Sequence, residues 1–371
     1  MKDKKKKIIA IVVLVVIVAI IATYFIAKYQ TYDHIEISKT YENQNKDNAN
    51  YISCMSGILR YSRDGVALLN KQGEEKWNQP CQMNNPIVEI GKDCVVVADK
   101  GGTSIVVLNE KGLKGEVKTT RPIEKVAVST QGIVSAILKD DEKPKVMCYD
   151  LKGNVLVEHN VSISTMGYPM DVALSADGNT MLVSYLKTDG KKLIGKVAYY
   201  YFGKKEENKK NYIVYEQDFE NTVIPVTAFL DKNTSLLVAD NALIFYEGLT
   251  KPKELLRIDV KQEIQSVAYD EHVVAVVTRN NADDAYKLYI YSKSGKELSV
   301  VDVDKEYTQL KVENNQVLMY DGQMCNIYLK NGVHKFEGKS DGNILEIFPL
   351  KGINKYMIID ASGFHEVRLE K

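Results

Sequence analysis

Tryptophan occurs once in this 371-residue sequence, histidine five times and proline eight times, and the chain carries no net charge. Forty-nine basic against 49 acidic side chains remove the main electrostatic reason to expect a nucleic-acid partner. The five cysteines, Cys54, Cys81, Cys94, Cys148 and Cys325, include no C-x-x-C pair, so a zinc site has no spacing to rest on. In a domain outside the cytoplasm one disulfide, Cys81 with Cys94, stays open; otherwise the thiols read as small buried hydrophobes. His34, His159, His272, His334 and His365 are neither spaced for a metal nor paired locally with a carboxylate, and read as lone strand or surface residues. No G-x-S-x-G, Walker loop or G-x-G-x-x-G is present, and Gly101-Gly102 reads as a tight turn. Nothing here indicates catalysis, a metal or a cofactor.

Charge is missing in one more place. Ile8 to Ala27 is an uncharged run of 20 residues, 14 of them Ile, Val, Leu or Phe. At about 1.5 Å per residue it spans about 30 Å, the thickness of a bilayer's hydrocarbon core. Summed insertion preferences are on the order of −6 kcal/mol, and in lipid only a helix bonds all of this segment's own backbone. Lys2 and Lys4 to Lys7 precede it and only Lys28 follows closely, which predicts a cytoplasmic tail (residues 1–7), a span (8–27) and an extracytoplasmic remainder. Lysines near an anionic surface add about 1 kcal/mol each. The run is longer than a signal-peptide core and has no Ala-x-Ala site, so it reads as an uncleaved anchor. Residues 28–50 form a polar stalk in which IEIS (Ile35 to Ser38) alternates like a strand.

What is abundant is β-forming: 23 tyrosines and many β-branched residues, in short apolar runs separated by turn clusters. No amphipathic helix stands out after residue 51. One element recurs, an apolar residue four positions before a glycine: LNKQG (Gly73), LNEKG (Gly112), YDLKG (Gly153), YSKSG (Gly295) and YLKNG (Gly332). The glycine supplies the positive φ of a hairpin turn. Successive glycines lie 39, 41, 142 and 37 residues apart, and the long gap holds units with diverged turns. Solid apolar runs such as CVVVAD at Cys94, VSAILK at Val134 and VVAVVTR at Val273 suit strands covered on both faces. A period near 40 residues with three or four strands per unit predicts an all-β repeat domain over 51–371, a β-propeller. The count is eight blades: 51–80, 86–118, 122–160, 169–218, 225–260, 264–303, 308–340 and 344–371. Seven remain if one unit is miscounted. The first and last units are short, so a strand within 35–41 is expected to complete the last blade. Two stacked sandwiches would not keep this period.

DGVALLNKQGEEKW (Asp64 to Trp77) resembles the repeat of quinoprotein-type and WD40-like propellers, in which the ring at the position of Trp77 docks between blades. Glu116, Val157, Ser299 and Phe336 stand at that position elsewhere. The whole arrangement is similar to an uncharacterised family of single-pass bacterial propeller proteins, which implies a fold but no activity. A quinone enzyme would require clustered carboxylates and stacked aromatics that a single tryptophan does not provide. The acidic turns DKGGTS (Asp99), SADGNT (Ser175) and DKNTS (Asp231) lack the alternating donors of a calcium loop and read as turn chemistry. KKEENKKN (Lys204 to Asn211) reads as a solvated hairpin tip. The expected function is a binding or scaffolding module for a protein or other cell-envelope partner. A surface hydrolase or lyase with residues gathered at the propeller channel is the alternative.

Overall fold

A computed structural model describes residues 2–43, 49–203, 212–282 and 284–371, with side chains from Ile9 onward. The charge run Lys204 to Asn211 and the side chains of the N-terminal lysines lie outside the described residues.

The protein is an eight-bladed β-propeller preceded by one helix, α1 (Lys2–Tyr29). Within α1, Ile9–Tyr29 has a mean hydropathy of 3.2 with none of it buried by protein, long and apolar enough to cross a membrane. Each blade is a four-stranded antiparallel sheet. Blades 1 to 7 occupy residues 50–80, 86–118, 123–160, 168–220, 226–259, 263–303 and 309–339. Their limits follow the forty-residue rhythm closely, because each solid apolar run is the second or third strand, covered on both faces. Blade 1 is complete on its own, although its short length suggests otherwise: Asn50–Cys54 supplies its first strand.

The chain divides into two compact units. Residues 43–306 hold blades 1 to 6; residues 1–42 and 307–371 hold α1, blade 7 and blade 8. In the smaller unit, blade 8 takes three strands from residues 346–370 and its fourth from β1 (His34–Glu42), which runs antiparallel to Gly363–Glu370. Pairing the two distant segments leaves the last strand no open edge. Gly363 makes the approach close enough: a Cβ there would lie 2.2 Å from the Tyr41 carbonyl oxygen.

The recurrent glycines occupy the third-to-fourth strand turns. Gly73, Gly153, Gly295 and Gly332 share φ values of 79 to 81°, and each follows a one-residue register shift in the pairing, as at Cys148/Tyr149. This is a tight turn closed by a glycine bulge. Gly112 differs, with φ 108° in a two-residue loop between Asn109 and Gly112. These turns also lean on the preceding blade: a Cβ at Gly295 would meet Phe245 at 2.9 Å.

Trp77 lies on the outer strand of blade 1, beside Gly112 of blade 2, and its Nε1 donates to the Glu110 carbonyl at 3.1 Å. On the third strand of blade 4, Lys192–Tyr201, tyrosines also make contacts between blades. Tyr199 bonds Ser235 Oγ of blade 5 at 2.7 Å, and Tyr200, bonded to Tyr185 at 2.6 Å, meets His159 of blade 3 at 3.2 Å. Each ring fills the space between sheets while its hydroxyl finds a partner. Replacing Trp77 with alanine is expected to cost about 2 kcal/mol, below the full-burial range because the ring is only half-buried. Equilibrium denaturation followed by tryptophan-independent circular dichroism measures it.

The five cysteines are free. Cys94 is fully buried with its thiol directed to the Thr130 carbonyl, so the Cys81–Cys94 bridge does not form. The acidic turns are occupied by their own backbones. Asp99 accepts from the Asn84 and Asn85 amides, and Asp177 from Ser175 Oγ and the Asn179 amide. Asp231 accepts from the Asn233 and Thr234 amides and pairs with Lys293 of blade 6 at 2.6 Å. Partial burial pushes the Asp231 carboxyl up, but Lys293 and the turn amides outweigh it and bring it down to about 2. A depressed carboxylate stabilises the fold above its unfolded value, near 4, and that contribution is lost as pH falls toward 2. Asp231→Asn should therefore cost about 1 kcal/mol at neutral pH and progressively less as pH falls through about 2, read from urea midpoints across that range.

Candidate functional site

The first strands of five consecutive blades converge on one cavity of about 350 Å³ in the larger unit. Pro86–Ile90 contributes Glu89, Ile123–Val128 contributes Lys125, and Tyr168–Leu174 contributes Asp171. Val226–Phe229 adds Thr227 and Glu263–Tyr269 adds Tyr269. Successive side chains of these strands enter the cores on either side of a blade, Val126 and Ala127 for instance, and the cavity runs along the strands themselves. Its lining mixes small apolar residues, Ala127, Ala173 and Ala228, with four ionisable ones.

Asp171 is committed. Its Oδ2 accepts from the Thr227 amide at 2.7 Å and the Thr227 hydroxyl at 3.1 Å, and its Oδ1 faces Lys125 Nζ at 3.4 Å. Burial raises its carboxyl; Lys125 and Thr227 oppose that. Glu89 has no hydrogen-bond or ion-pair partner among the described residues. Its side chain is exposed to the cavity, with protein crowded around it. That crowding, with the charge of Asp171, pushes it up to about 7 against the pull of Lys125. The Tyr269 hydroxyl is raised by burial and by the same two carboxylates. The site thus holds one satisfied ion pair and one uncommitted carboxyl that ionises near neutrality. That arrangement favours a cationic group entering the cavity.

A second cluster sits in blade 8. Asp360 Oδ1 accepts from the Ser362 and Gly363 amides, Ser362 Oγ at 2.6 Å and His365 Nε2 at 3.0 Å, while His365 Nδ1 meets Thr40 Oγ1 of β1 at 3.1 Å. His365 is therefore a buried, paired residue and not a lone one; the hairpin folding Gly363–Glu370 onto Lys355–Ile359 brings it to Asp360. The triplet does not make a nucleophile. A serine hydrolase needs the carboxylate on one ring nitrogen and the hydroxyl on the other, whereas Ser362 and Asp360 share Nε2 and the hydroxyl donates to Asp360. Its work is to fasten β1. Burial raises the Asp360 carboxyl, but the bonds from Ser362 and His365 outweigh it and hold it below its ordinary value.

Among the described residues no three His, Cys, Asp or Glu side chains gather closely enough to hold a metal ion. Gly73, Gly112, Gly153, Gly295, Gly332 and Trp77 all lie at blade turns and blade contacts, and none lines the cavity. Sequence reasoning did not single out Glu89, Lys125 or Asp171. Their only signal is a charged residue on each of three successive first strands, where alternation alone leaves the partner unnamed.

The family pattern for a group of unknown function matches residues 28–369. The chain belongs to the DUF5711 family. Among solved structures, this DUF5711 protein is similar to BamB from Moraxella catarrhalis, with 12% identity and a TM-score of 0.55, over 91% of this chain and 100% of that one. It is also similar to the Dos1 propeller, with 12% identity and a TM-score of 0.50, over 93% and 96% of the two chains. At such identities the likeness is one of fold. No curated protein matches the sequence.

Proposed function

We propose that this DUF5711 protein is a single-pass membrane protein of the bacterial cell envelope, its N-terminus cytoplasmic and its propeller outside, that binds a protein partner through the cavity of the larger unit. The observation that carries the binding reading is Glu89, a carboxyl without a partner beside the satisfied Lys125–Asp171 pair. A lysine or arginine side chain from a partner supplies the missing charge. The apolar run of α1 and the lysine asymmetry around it support the anchor.

The test places a photo-reactive residue at Tyr269, at the cavity, in the anchored full-length chain. A defined cross-linked partner is expected. Its capture should strengthen as pH rises through about 7, where Glu89 ionises. Glu89→Gln should weaken it by roughly ten- to a hundredfold, the range for a hydrogen bond to a charged group, and flatten the pH dependence. Capture no greater than from an unrelated anchored propeller, or unchanged by Glu89→Gln, counts against the reading.

The raised Glu89 carboxyl also favours a second reading, a hydrolase or lyase in which Glu89 is the general acid. It lacks a second free carboxylate, since Thr227 and Lys125 hold Asp171. Glycan or peptide turnover lost in Glu89→Gln would favour it over the binding role.

A further inference from the structure

We propose that a cleft at the C-terminal end of α1 binds the phosphate headgroup of an anionic phospholipid through Lys28 and Lys330. The inference rests on α1 being a membrane span. The cleft measures about 620 Å³ and lies among the last helical turns, two hairpin turns of blade 7 and the loop at Gly352 of blade 8. Three lysines line it, Lys28, Lys330 and Lys335, and no carboxylate does.

The geometry around these cations is built. Lys335 is buried, with 1% of its surface exposed, and its ammonium donates to the carbonyls of Ala27 at 2.9 Å and Lys28 at 3.2 Å, capping the helix. It also lies 4.6 Å from the centre of the Tyr32 ring. Burial, with the positive charge of Lys28, brings Lys335 down to about 8. Lys330 is held by Asn315 Oδ1 at 2.9 Å, and Asn315 belongs to a two-residue turn with both φ values positive, 52 and 60°. Among the described residues the three ammonium groups have only neutral acceptors and aromatic faces, which favours an anion in the cleft.

Depth selects which anion. A 21-residue span at about 1.5 Å per residue covers about 32 Å, which puts Lys28 at the boundary where lipid phosphates lie. Tyr24 and Tyr29 flank Lys28, its ammonium 5.9 and 5.4 Å from their ring centres, and both rings are exposed as interfacial tyrosines are. A free phosphate shares the chemistry but not the acyl chains that such a boundary accommodates.

The full chain in nanodiscs of phosphatidylcholine, with or without phosphatidylglycerol, tests this by native mass spectrometry of retained lipid. Selective retention of phosphatidylglycerol is expected. Lys28→Gln with Lys330→Gln should lower it roughly ten- to thirtyfold, with circular dichroism unchanged. Isotope-labelled Lys335, left unmutated, should titrate near 8 in neutral lipid and higher with phosphatidylglycerol. Inorganic phosphate added to neutral discs should not reproduce that shift. Equal retention of both lipids, no loss in the double variant, or a full shift with phosphate alone overturns the lipid site while the anchor stands. A chain extracted by alkaline carbonate overturns the anchor and this site together.

Discussion

Gly363→Val is expected to open blade 8 and destabilise the smaller unit by about 3 kcal/mol, the upper part of the range for overpacking. Valine at this position has no room, since its Cβ alone would approach the Tyr41 carbonyl oxygen to 2.2 Å. A hairpin would hold two neighbouring strands together through such an insult, but β1 meets its partner without a connecting turn, from the far end of the chain. The pairs His34 with Glu370 through Glu42 with Gly363 therefore separate cooperatively from the glycine end. The bond between Thr40 and His365 goes with them. Val367 and Leu369, 2% and 1% exposed, then lie on a bare edge strand. The measurement is a denaturant midpoint for the full chain in detergent, with hydrogen exchange at residues 34–42 and 363–370. Exchange in β1 that stays as slow as in blade 7 would show that the closure tolerates the clash.

The second large effect is expected from Phe336→Ala, at about 4 kcal/mol, within the range for a fully buried aromatic ring. Phe336 is 0% exposed and packs with Tyr32, Leu318, Ile327, Ile347 and Ile358. Its strand is also where the segment after α1 attaches. Tyr32 bridges to Phe336, its amide donating to the Lys335 carbonyl at 3.0 Å, and the Glu337 amide donates to the Tyr32 carbonyl at 3.2 Å. Removing the ring leaves a cavity under that attachment, so the lost transfer energy and the void are felt by the blade 7 core and the helix cap together. Thermal unfolding in detergent gives the cost. A faster exchange of the Tyr32 amide than of blade 7 amides remote from Phe336 would locate it. Phe336→Leu, which keeps much of the volume, should recover most of the stability.

Much of the architecture is written locally. The uncharged run from Ile8 becomes helix because length and polarity decide that without reference to any other segment. The glycines at 73, 153, 295 and 332 mark bulged turns because positive φ is a property of one residue and its immediate neighbours. The blade limits follow from where solid apolar strands alternate with turns, and the need for a fourth strand in blade 8 follows from a shortage visible in the last unit.

What needed the tertiary structure is every interaction between segments far apart in the chain. Glu89, Lys125, Asp171 and Thr227 sit on four different blades, and register between first strands decides that Asp171 is satisfied while Glu89 is left open. Lys335 looks like any charged residue of an outer strand until the helix end, 307 residues away, offers carbonyls that accept its hydrogen bonds. His365 looks solitary until a hairpin and β1 enclose it between Asp360 and Thr40. Local sequence determines backbone conformation through short-range sterics and burial periodicity. The pairing of charges depends on distances that exist only after the blades have been placed.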